Sequence, residues 1–404
     1  MQAETNFIRK HSSFIDNFYH ICVGLFPTLY IVNVPGLNMS LGTILLFLLL
    51  PQSFIYIIKR KKFKGRISTL CFFAFYFYLI ARCEGNLTRI VICCCTFIII
   101  AGQINGAIDT LKIRKVIETF AIVNVVLVMI QVVSYYLLHI QIQYIPKWLI
   151  YEEYQNSWVF RDFTGLYRPS ALFLEPSHFA QYCVFALISA LFPTVEKVNL
   201  KKALVIGAGV ILTTSGQGIL LTVGVAAWYL AFNNQSLNKK IINILRIVPV
   251  ILIVVAVLYN TEFFQAAINR IFNRVDGYTA IEGRTHNWDD AIGNMHGKTL
   301  WFGYGDSHKF RLYLPGLADT IYKYGLLCII LESLCLLYLM LKKIGNNYIW
   351  CSCVVFTILF CIAHVTNYVS QIFYFGIIIA EATTVQIRGE GQMYPINVFP
   401  PKIG

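Results

Sequence analysis

Long apolar runs separated by short polar segments make up almost the whole chain. Twelve of these runs approach the ~20 mostly apolar residues that a helix needs to cross a bilayer. They lie at residues 15–33, 41–58, 68–83, 88–105, 116–142, 171–194, 203–215, 217–232, 247–259, 317–341, 348–364 and 367–383. The segment from 203 to 232 also fits one broken helix. We therefore predict an all-α polytopic membrane protein of about 12 transmembrane helices, forming a single integral-membrane domain over residues 1–404.

The composition excludes a soluble or a disordered protein. Only 13% of the residues are charged and the mean hydropathy is +0.63, whereas soluble domains carry about 25% charged residues. Nearly all of the 12 cysteines lie in apolar runs and no C-x-x-C pair occurs, so we expect neither a disulfide framework nor a zinc site. The N-terminal residues are mostly polar and no small-residue cleavage site follows the first apolar run, so we expect no cleavable signal peptide.

Basic residues are concentrated in every second connector between the apolar runs. Five such connectors carry lysine and arginine, at residues 59–66, 112–115, 197–202, 239–246 and 342–343. Under the twelve-span count, all five connectors lie on one side of the membrane. Lysine and arginine accumulate on the cytoplasmic side of membrane proteins. We therefore expect both termini in the cytoplasm and a multi-pass location in the inner membrane of a bacterium.

Two connectors on the opposite side are long enough to carry chemistry. They span residues 143–170 and 260–316, the first and second periplasmic loops. Acidic and basic residues balance in each loop, so the net charge of +13 comes from the other side of the membrane. The excess of positive charge therefore sets topology, and we expect no nucleic-acid partner.

The second periplasmic loop begins with apolar residues at helical spacing from Phe264 to Val275. This spacing predicts an amphipathic helix on the membrane surface. Arg270 and Arg274 are four residues apart and share its polar face. They fit two roles, contact with lipid headgroups or a clamp on a substrate phosphate, because a guanidinium binds phosphate through paired donors.

The rest of the second loop combines aromatic, charged and histidine side chains. Trp288 and Tyr304 have the flat faces that bind sugar rings, although aromatic residues also collect at membrane interfaces. His308 closes this segment. The glycines at 303 and 305 do not form a nucleotide-binding fingerprint, because no strand precedes them and no third glycine follows in register.

The first periplasmic loop runs into the sixth span through Arg168, Glu175 and His178. A carboxylate at the outer end of a span is a functional candidate. Pro176 predicts that a helix begins or breaks at this point, and Glu175 and His178, three residues apart, can share one face. The alternative role for Glu175 is a structural cap paired with Arg168.

Three further polar features lie within the apolar runs. Glu332 lies in the middle of a span, where we expect it to pair with a neighbouring helix. Residues 213–218 form a small polar break between two spans, which either lines a cavity or lets helices approach. Asp319 and Lys323 are four residues apart and are expected to form a structural ion pair.

Several segments resemble motifs of bacterial O-antigen and capsule polymerases of the Wzy type. Residues 168–177 (RPSALFLEPS) are similar to the R-x-S-x-x-F-x-E-P-S motif of that family, and Thr214-Ser215 resembles its T-x-S segment. Residues 283–291 and 300–305 are similar to its G-R-x-x-x-W-x-x-A and (P/L)-x-F-G-x-G patterns, and residues 316–325 resemble its entry into the next span. The motifs cover about a third of the chain, in the family's order.

The resemblance implies a membrane-embedded glycosyltransferase of the C class. Such an enzyme joins oligosaccharide repeat units carried on undecaprenyl pyrophosphate, at the periplasmic face, without a nucleotide sugar, cofactor or metal. It implies that Arg168 and Arg284 stabilise the pyrophosphate leaving group, and that Glu175 or His308 is the general base. Membrane lipids and a chain-length regulator protein are the further partners that it implies.

Two other functions remain open from the sequence. An O-antigen ligase has the same architecture but transfers the glycan to a lipid A core. The His-Asn pair usual in ligases is missing, because Lys309 follows His308, and this favours a polymerase. A polysaccharide flippase or transporter also has about 12 spans, but such proteins show repeated halves and charged sites at the membrane midplane.

Overall fold

The computed structural model describes residues 2–37, 39–59, 67–150, 167–193, 198–232, 285, 287–308, 310–312, 314–363, 370–383, 386–389 and 392–395. Over these residues the chain is almost entirely helical. The helices are α1 (Gln2–Leu29), α2 (Leu41–Lys59), α3 (Ile67–Ala81), α4 (Leu87–Gly102), α5 (Thr110–Leu138), α6 (Pro176–Leu191), α7 (Leu200–Leu212), α8 (Gly216–Phe232), α9 (Trp288–Ile292), α10 (Lys298–Phe302), α11 (Gly316–Lys342), α12 (Asn347–Ile362) and α13 (Gly376–Thr383).

Four of the described helical segments are long and apolar enough to cross a membrane. They are Leu41–Lys59, Leu87–Ala107, Thr110–Leu138 and Gly316–Lys342. Shorter apolar helices accompany them at Leu70–Ala81, Gly216–Phe232, Asn347–Ile362 and Gln371–Thr383. Many large apolar side chains of these helices face outward, for example Leu137 and Leu220. Such a surface suits lipid better than water, which supports an all-α membrane protein.

Side-chain caps begin several helices at the predicted connectors. Asn86, Asp109, Asn199 and Asn346 each accept a hydrogen bond from a backbone N–H in the first turn of the helix that follows. These caps satisfy donors that a helix start otherwise leaves unpaired. The polar connectors therefore fix the helix starts, while the apolar runs between them form the packed bundle.

Contacts join connectors that the charge pattern places on the same side. On the predicted cytoplasmic side, Arg114 forms an ion pair with Glu381 at 2.7 Å and donates to the carbonyl of Phe192 at 3.2 Å. The Arg114 guanidinium also lies 3.7 Å from the centre of the Tyr348 ring. These four residues come from the ends of four different helical segments, so one buried cluster ties that end of the bundle together.

The fold differs from the predicted plain helices in four places. Residues Gln103–Ala107 and Gln371–Phe375 are π-helical segments that continue into neighbouring α-helices. Two short antiparallel strand pairs also occur, β1 (Asn33–Val34) with β2 (Met39–Ser40) and β3 (Gln386–Gly389) with β4 (Gln392–Pro395). The predicted ninth span, 247–259, lies outside the described residues, as does the predicted surface helix from Phe264 to Val275.

Candidate functional site

The loop after α10 is docked onto a kink in α11. Gly325 has φ 72° and ψ 179°, which breaks the regular helix and exposes backbone groups of the preceding turn. The N–H groups of Tyr304 and Gly305 donate to the carbonyls of Tyr322 and Lys323, both at 2.8 Å. This short extended pairing holds residues 302–305 against the outer end of the helix.

Two glycines make this close approach possible. Gly303 has φ 71° and ψ −178°, and Gly325 has nearly the same angles. Only glycine adopts this region readily. A Cβ on Gly303 would overlap the backbone of Lys323, and a Cβ on Gly325 would overlap the backbone of Trp301. The two glycines therefore let the loop and helix backbones touch.

The connector between α3 and α4 holds the other side of the loop. Arg82 donates to the Gly303 carbonyl at 3.0 Å and forms an ion pair with Glu84 at 2.9 Å. Its own carbonyl accepts from the N–H of Asp306 at 3.1 Å. The loop is thus held between α11 and a connector more than 200 positions earlier in the chain.

A second charged contact lies deeper in the same region. The Arg89 Nε lies 3.6 Å from Asp306 Oδ2, and the Tyr324 hydroxyl donates to Asp306 Oδ1 at 2.5 Å. Tyr324 is almost completely buried. Arg89 belongs to α4 and Tyr324 to α11, so Asp306 connects both helices to the loop. Charged hydrogen bonds of this kind are stronger than neutral ones.

His308 lies at the exposed end of the docked loop. Its Nδ1 lies 3.4 Å from the Ser307 hydroxyl and 3.8 Å from Glu84 Oε2. The Tyr304 ring centre is 6.0 Å from that of the imidazole. The side chain of His308 is 58% exposed, so a substrate can reach it. The structure therefore brings together His308 and Tyr304, two of the residues that the sequence singles out.

Glu175 and His178 lie at the start of α6, as the sequence predicts. Glu175 precedes Pro176 in an extended conformation, and its carbonyl accepts from the N–H of His178 at 3.0 Å. The Glu175 carboxylate accepts a hydrogen bond from Ser177 at 3.0 Å and does not cap the helix with its side chain. The capping role for this carboxylate is therefore wrong. Glu175 is half-buried and His178 is exposed.

Arg168 lines a small cleft of about 30 Å³, about the space of one water molecule, which residues 141–145, 170–171 and 173–174 also line. Gln131 organises this cleft, because its side chain accepts from the Ala171 N–H at 2.9 Å and donates to the Ile142 carbonyl at 3.1 Å. Tyr167 stacks on Tyr135 with ring centres 4.3 Å apart. Burial raises the pKa of Tyr167 to about 12, so its hydroxyl remains a neutral hydrogen-bond donor in the cleft.

The remaining predicted site residues are Trp288, which the structure describes, and three arginines, which it does not. Trp288 packs against a small cluster that includes Ala291, Leu314 and Ala318, which gives it a structural role in holding α9 on α11. Arg270, Arg274 and Arg284 lie outside the described residues. Within the described ranges, the structure has no group of three or more His, Cys, Asp or Glu side chains that is arranged to hold a metal ion.

Two of the remaining polar features agree with the sequence analysis, whereas the carboxylate oxygens of Glu332 have no hydrogen-bond partner within the described residues. Asp319 and Lys323 form an ion pair at 2.9 Å. Residues 213–215 form the turn between α7 and α8. The turn brings the helices close, since a Cβ on Gly218 would overlap Ala180 of α6 and Val210 of α7. Glu332 is buried, and the Gln371 side chain of the last helical segment lies beside it.

Sequence reasoning missed the part of the site contributed by the α3–α4 connector. Arg82, Glu84 and Arg89 all contact the docked loop, and none of them belongs to a motif quoted above. The sequence does contain one sign that this connector contributes to the site. The connector and the first turn of α4 fall on the predicted periplasmic side, where arginine is uncommon, and residues 82–89 nevertheless hold two arginines and a glutamate.

The fold is that of an all-α membrane protein, with an exposed cluster of polar side chains where the docked loop meets α11. A family model described as O-antigen ligase matches residues 203–325. That segment includes α7, α8, the docked loop and the kink in α11. The match supports the O-antigen polymerase and ligase superfamily, whose members are glycosyltransferase-like enzymes. No curated protein matches this chain.

Proposed function

We propose that this protein polymerises oligosaccharide repeat units carried on undecaprenyl pyrophosphate into O-antigen or capsular polysaccharide. The reaction takes place at the periplasmic face of the bacterial inner membrane, with both termini of the enzyme in the cytoplasm. The observation that carries the proposal is the exposed His308 beside Tyr304, on a loop that is rigidly held by α4 and α11. A fixed base with open access is what transfer to a sugar hydroxyl requires.

In the proposed reaction, His308 takes the proton from an acceptor hydroxyl at the non-reducing end of a new lipid-linked unit. The acceptor oxygen then forms a bond to the anomeric carbon of the growing chain. The bond between that carbon and the undecaprenyl pyrophosphate breaks, and the pyrophosphate leaves with the electron pair. Arg168 and Arg284 stabilise the charge on this leaving group without a metal.

Glu175 and Tyr304 bind sugar in this proposal. Glu175 offers a half-buried carboxylate that accepts hydrogen bonds, and Tyr304 offers an aromatic face next to the base. His178 lies one turn from Glu175 on an exposed surface and contributes to the same binding region. Membrane lipids surround the bundle, and a chain-length regulator protein is a further proposed partner.

A second candidate is an O-antigen ligase, because the matching family model carries that description. A ligase uses the same donor but transfers the glycan to a lipid A core. The experiment that tests the proposal is complementation of a strain that lacks the gene. We expect wild-type protein to restore long polysaccharide and His308→Gln protein to leave single repeat units on the core. Loss of the single units as well, in the strain that lacks the gene, would indicate the ligase instead.

A further inference from the structure

Glu84 stands out among the charged residues near the docked loop. It has φ 46°, the left-handed region that side chains other than glycine and asparagine rarely occupy. Such strained residues cluster at functional sites, where the surrounding structure holds them in place. The Glu84 carboxyl group lies directly over Gly305 of the loop.

The two oxygens of this carboxylate have different partners. Oε1 forms the ion pair with Arg82 at 2.9 Å. Oε2 accepts from the Ser307 hydroxyl at 3.4 Å and lies 3.8 Å from His308 Nδ1. Arg82 is itself fixed by the Gly303 carbonyl. One oxygen therefore anchors the carboxylate, and the other faces the ring nitrogen of the proposed base.

The loop is shaped to leave room for this carboxylate. Gly305 has φ 100°, and a Cβ at this position would overlap all three atoms of the Glu84 carboxyl group. Gly305 is therefore required by the position of Glu84 as well as by its own backbone angles.

We propose that Glu84 is a positioning residue that orients the imidazole of His308 for proton transfer. The carboxylate faces Nδ1 and so favours the tautomer with the proton on that nitrogen, which leaves Nε2 free to accept the proton of the acceptor hydroxyl. Ser307 bridges the carboxylate and the imidazole. This inference rests on the proposed function of His308 as the base.

The test is a double-mutant cycle in polymerisation of purified, radiolabelled lipid-linked repeat units, with wild type, Glu84→Gln, His308→Gln and the double variant. We expect Glu84→Gln to lower kcat about 10- to 100-fold with little change in KM, because positioning acts on the chemical step. In the His308→Gln background the same change is expected to alter the residual rate less than about twofold. Equal losses in both backgrounds would overturn the positioning role.

A second pair of variants guards against a simple folding defect. Gly305→Ala displaces the Glu84 carboxylate, whereas Gly36→Ala introduces a side chain at φ 83° with open space around it. We expect Gly305→Ala to match the kcat loss of Glu84→Gln and Gly36→Ala to retain nearly full activity. Wild-type kcat in the Gly305→Ala enzyme would overturn the inference. A wild-type enzyme that forms no polymer would instead refute the proposed function.

Discussion

Substitution of Gly325 by alanine tests whether the docked loop shapes the active site. The change puts a Cβ where the backbone of Trp301 and Phe302 now lies. Those atoms belong to the main chain, so the loop must move as a whole. The movement breaks the two 2.8 Å hydrogen bonds from Tyr304 and Gly305 to α11.

The free-energy cost of Gly325→Ala can be worked out from these contacts. A residue with a Cβ that is held at the backbone angles of Gly325 costs about 1–3 kcal/mol of conformational free energy. Each of the two lost hydrogen bonds contributes ~1 kcal/mol. Gly345, just beyond the other end of α11, is a control with a positive φ of 85° and nothing within 4 Å of a Cβ. Its substitution carries only the conformational cost. The difference of about 2 kcal/mol corresponds to a roughly 30-fold shift of the loop away from its docked position.

The assay compares purified Gly325→Ala and Gly345→Ala enzymes in polymer formation from lipid-linked repeat units, together with thermal unfolding in detergent. We expect Gly325→Ala to lose at least about tenfold in activity and to unfold at a lower temperature than Gly345→Ala. We expect Gly345→Ala to polymerise almost normally. If both variants retained wild-type activity, the docked loop would not be part of the active site.

Three further predictions concern individual side chains. His308→Gln should lose roughly 10²–10⁴-fold in activity, as expected for a general base. Glu175→Gln should lose only about tenfold. Single-turnover rates measure both losses, and a larger loss in Glu175→Gln than in His308→Gln would make Glu175 the base. Arg168→Lys and Arg284→Lys should each lose most polymerisation activity, because lysine lacks the planar fork of donors that holds pyrophosphate. Lysine in place of the two arginines of the predicted surface helix should be tolerated. Full activity of both Arg168→Lys and Arg284→Lys would refute the pyrophosphate clamp. Glu381→Ala should destabilise the protein by about 3–5 kcal/mol, because it leaves its buried arginine partner without a counter-charge; an unchanged unfolding midpoint would contradict the buried pair.

Helix positions were predictable from the sequence because lipid imposes a simple pattern. The predicted run 317–341 corresponds to α11 at Gly316–Lys342, and the run 217–232 to α8 at Gly216–Phe232. Pro176 also marked the start of α6 correctly. Length, apolarity and proline are local signals. They do not depend on which helices are neighbours.

The site was only partly predictable, because its main contacts join distant parts of the chain. His308 and Tyr304 were visible as chemically suitable residues in a predicted periplasmic loop. Glu84 lies 223 positions before Ser307, with which it forms a hydrogen bond, and no local pattern links the two. The facing glycines at 303 and 325 were visible within separate motifs, but their mutual contact requires the kink in α11.

The π-helical segments were also missed for a physical reason. Gln103 and Gln371 begin the two segments, and both are buried. A π-helical turn adds one residue to a helix without changing its apolar composition, so periodicity over one turn does not reveal it. Gly106, with φ 101°, lies inside the first segment and interrupts its helical conformation.

Polymerisation by the purified wild-type enzyme in vitro tests the proposed polymerase activity most directly. The reaction contains undecaprenyl-pyrophosphate-linked repeat units as donor and acceptor, EDTA to remove metal ions, and no lipid A core. If the enzyme is a polymerase, the products form a ladder longer than one repeat unit and are still attached to undecaprenyl pyrophosphate. Products that never exceed one unit, with transfer seen only after lipid A core is added, would contradict the proposed polymerase activity and identify a ligase.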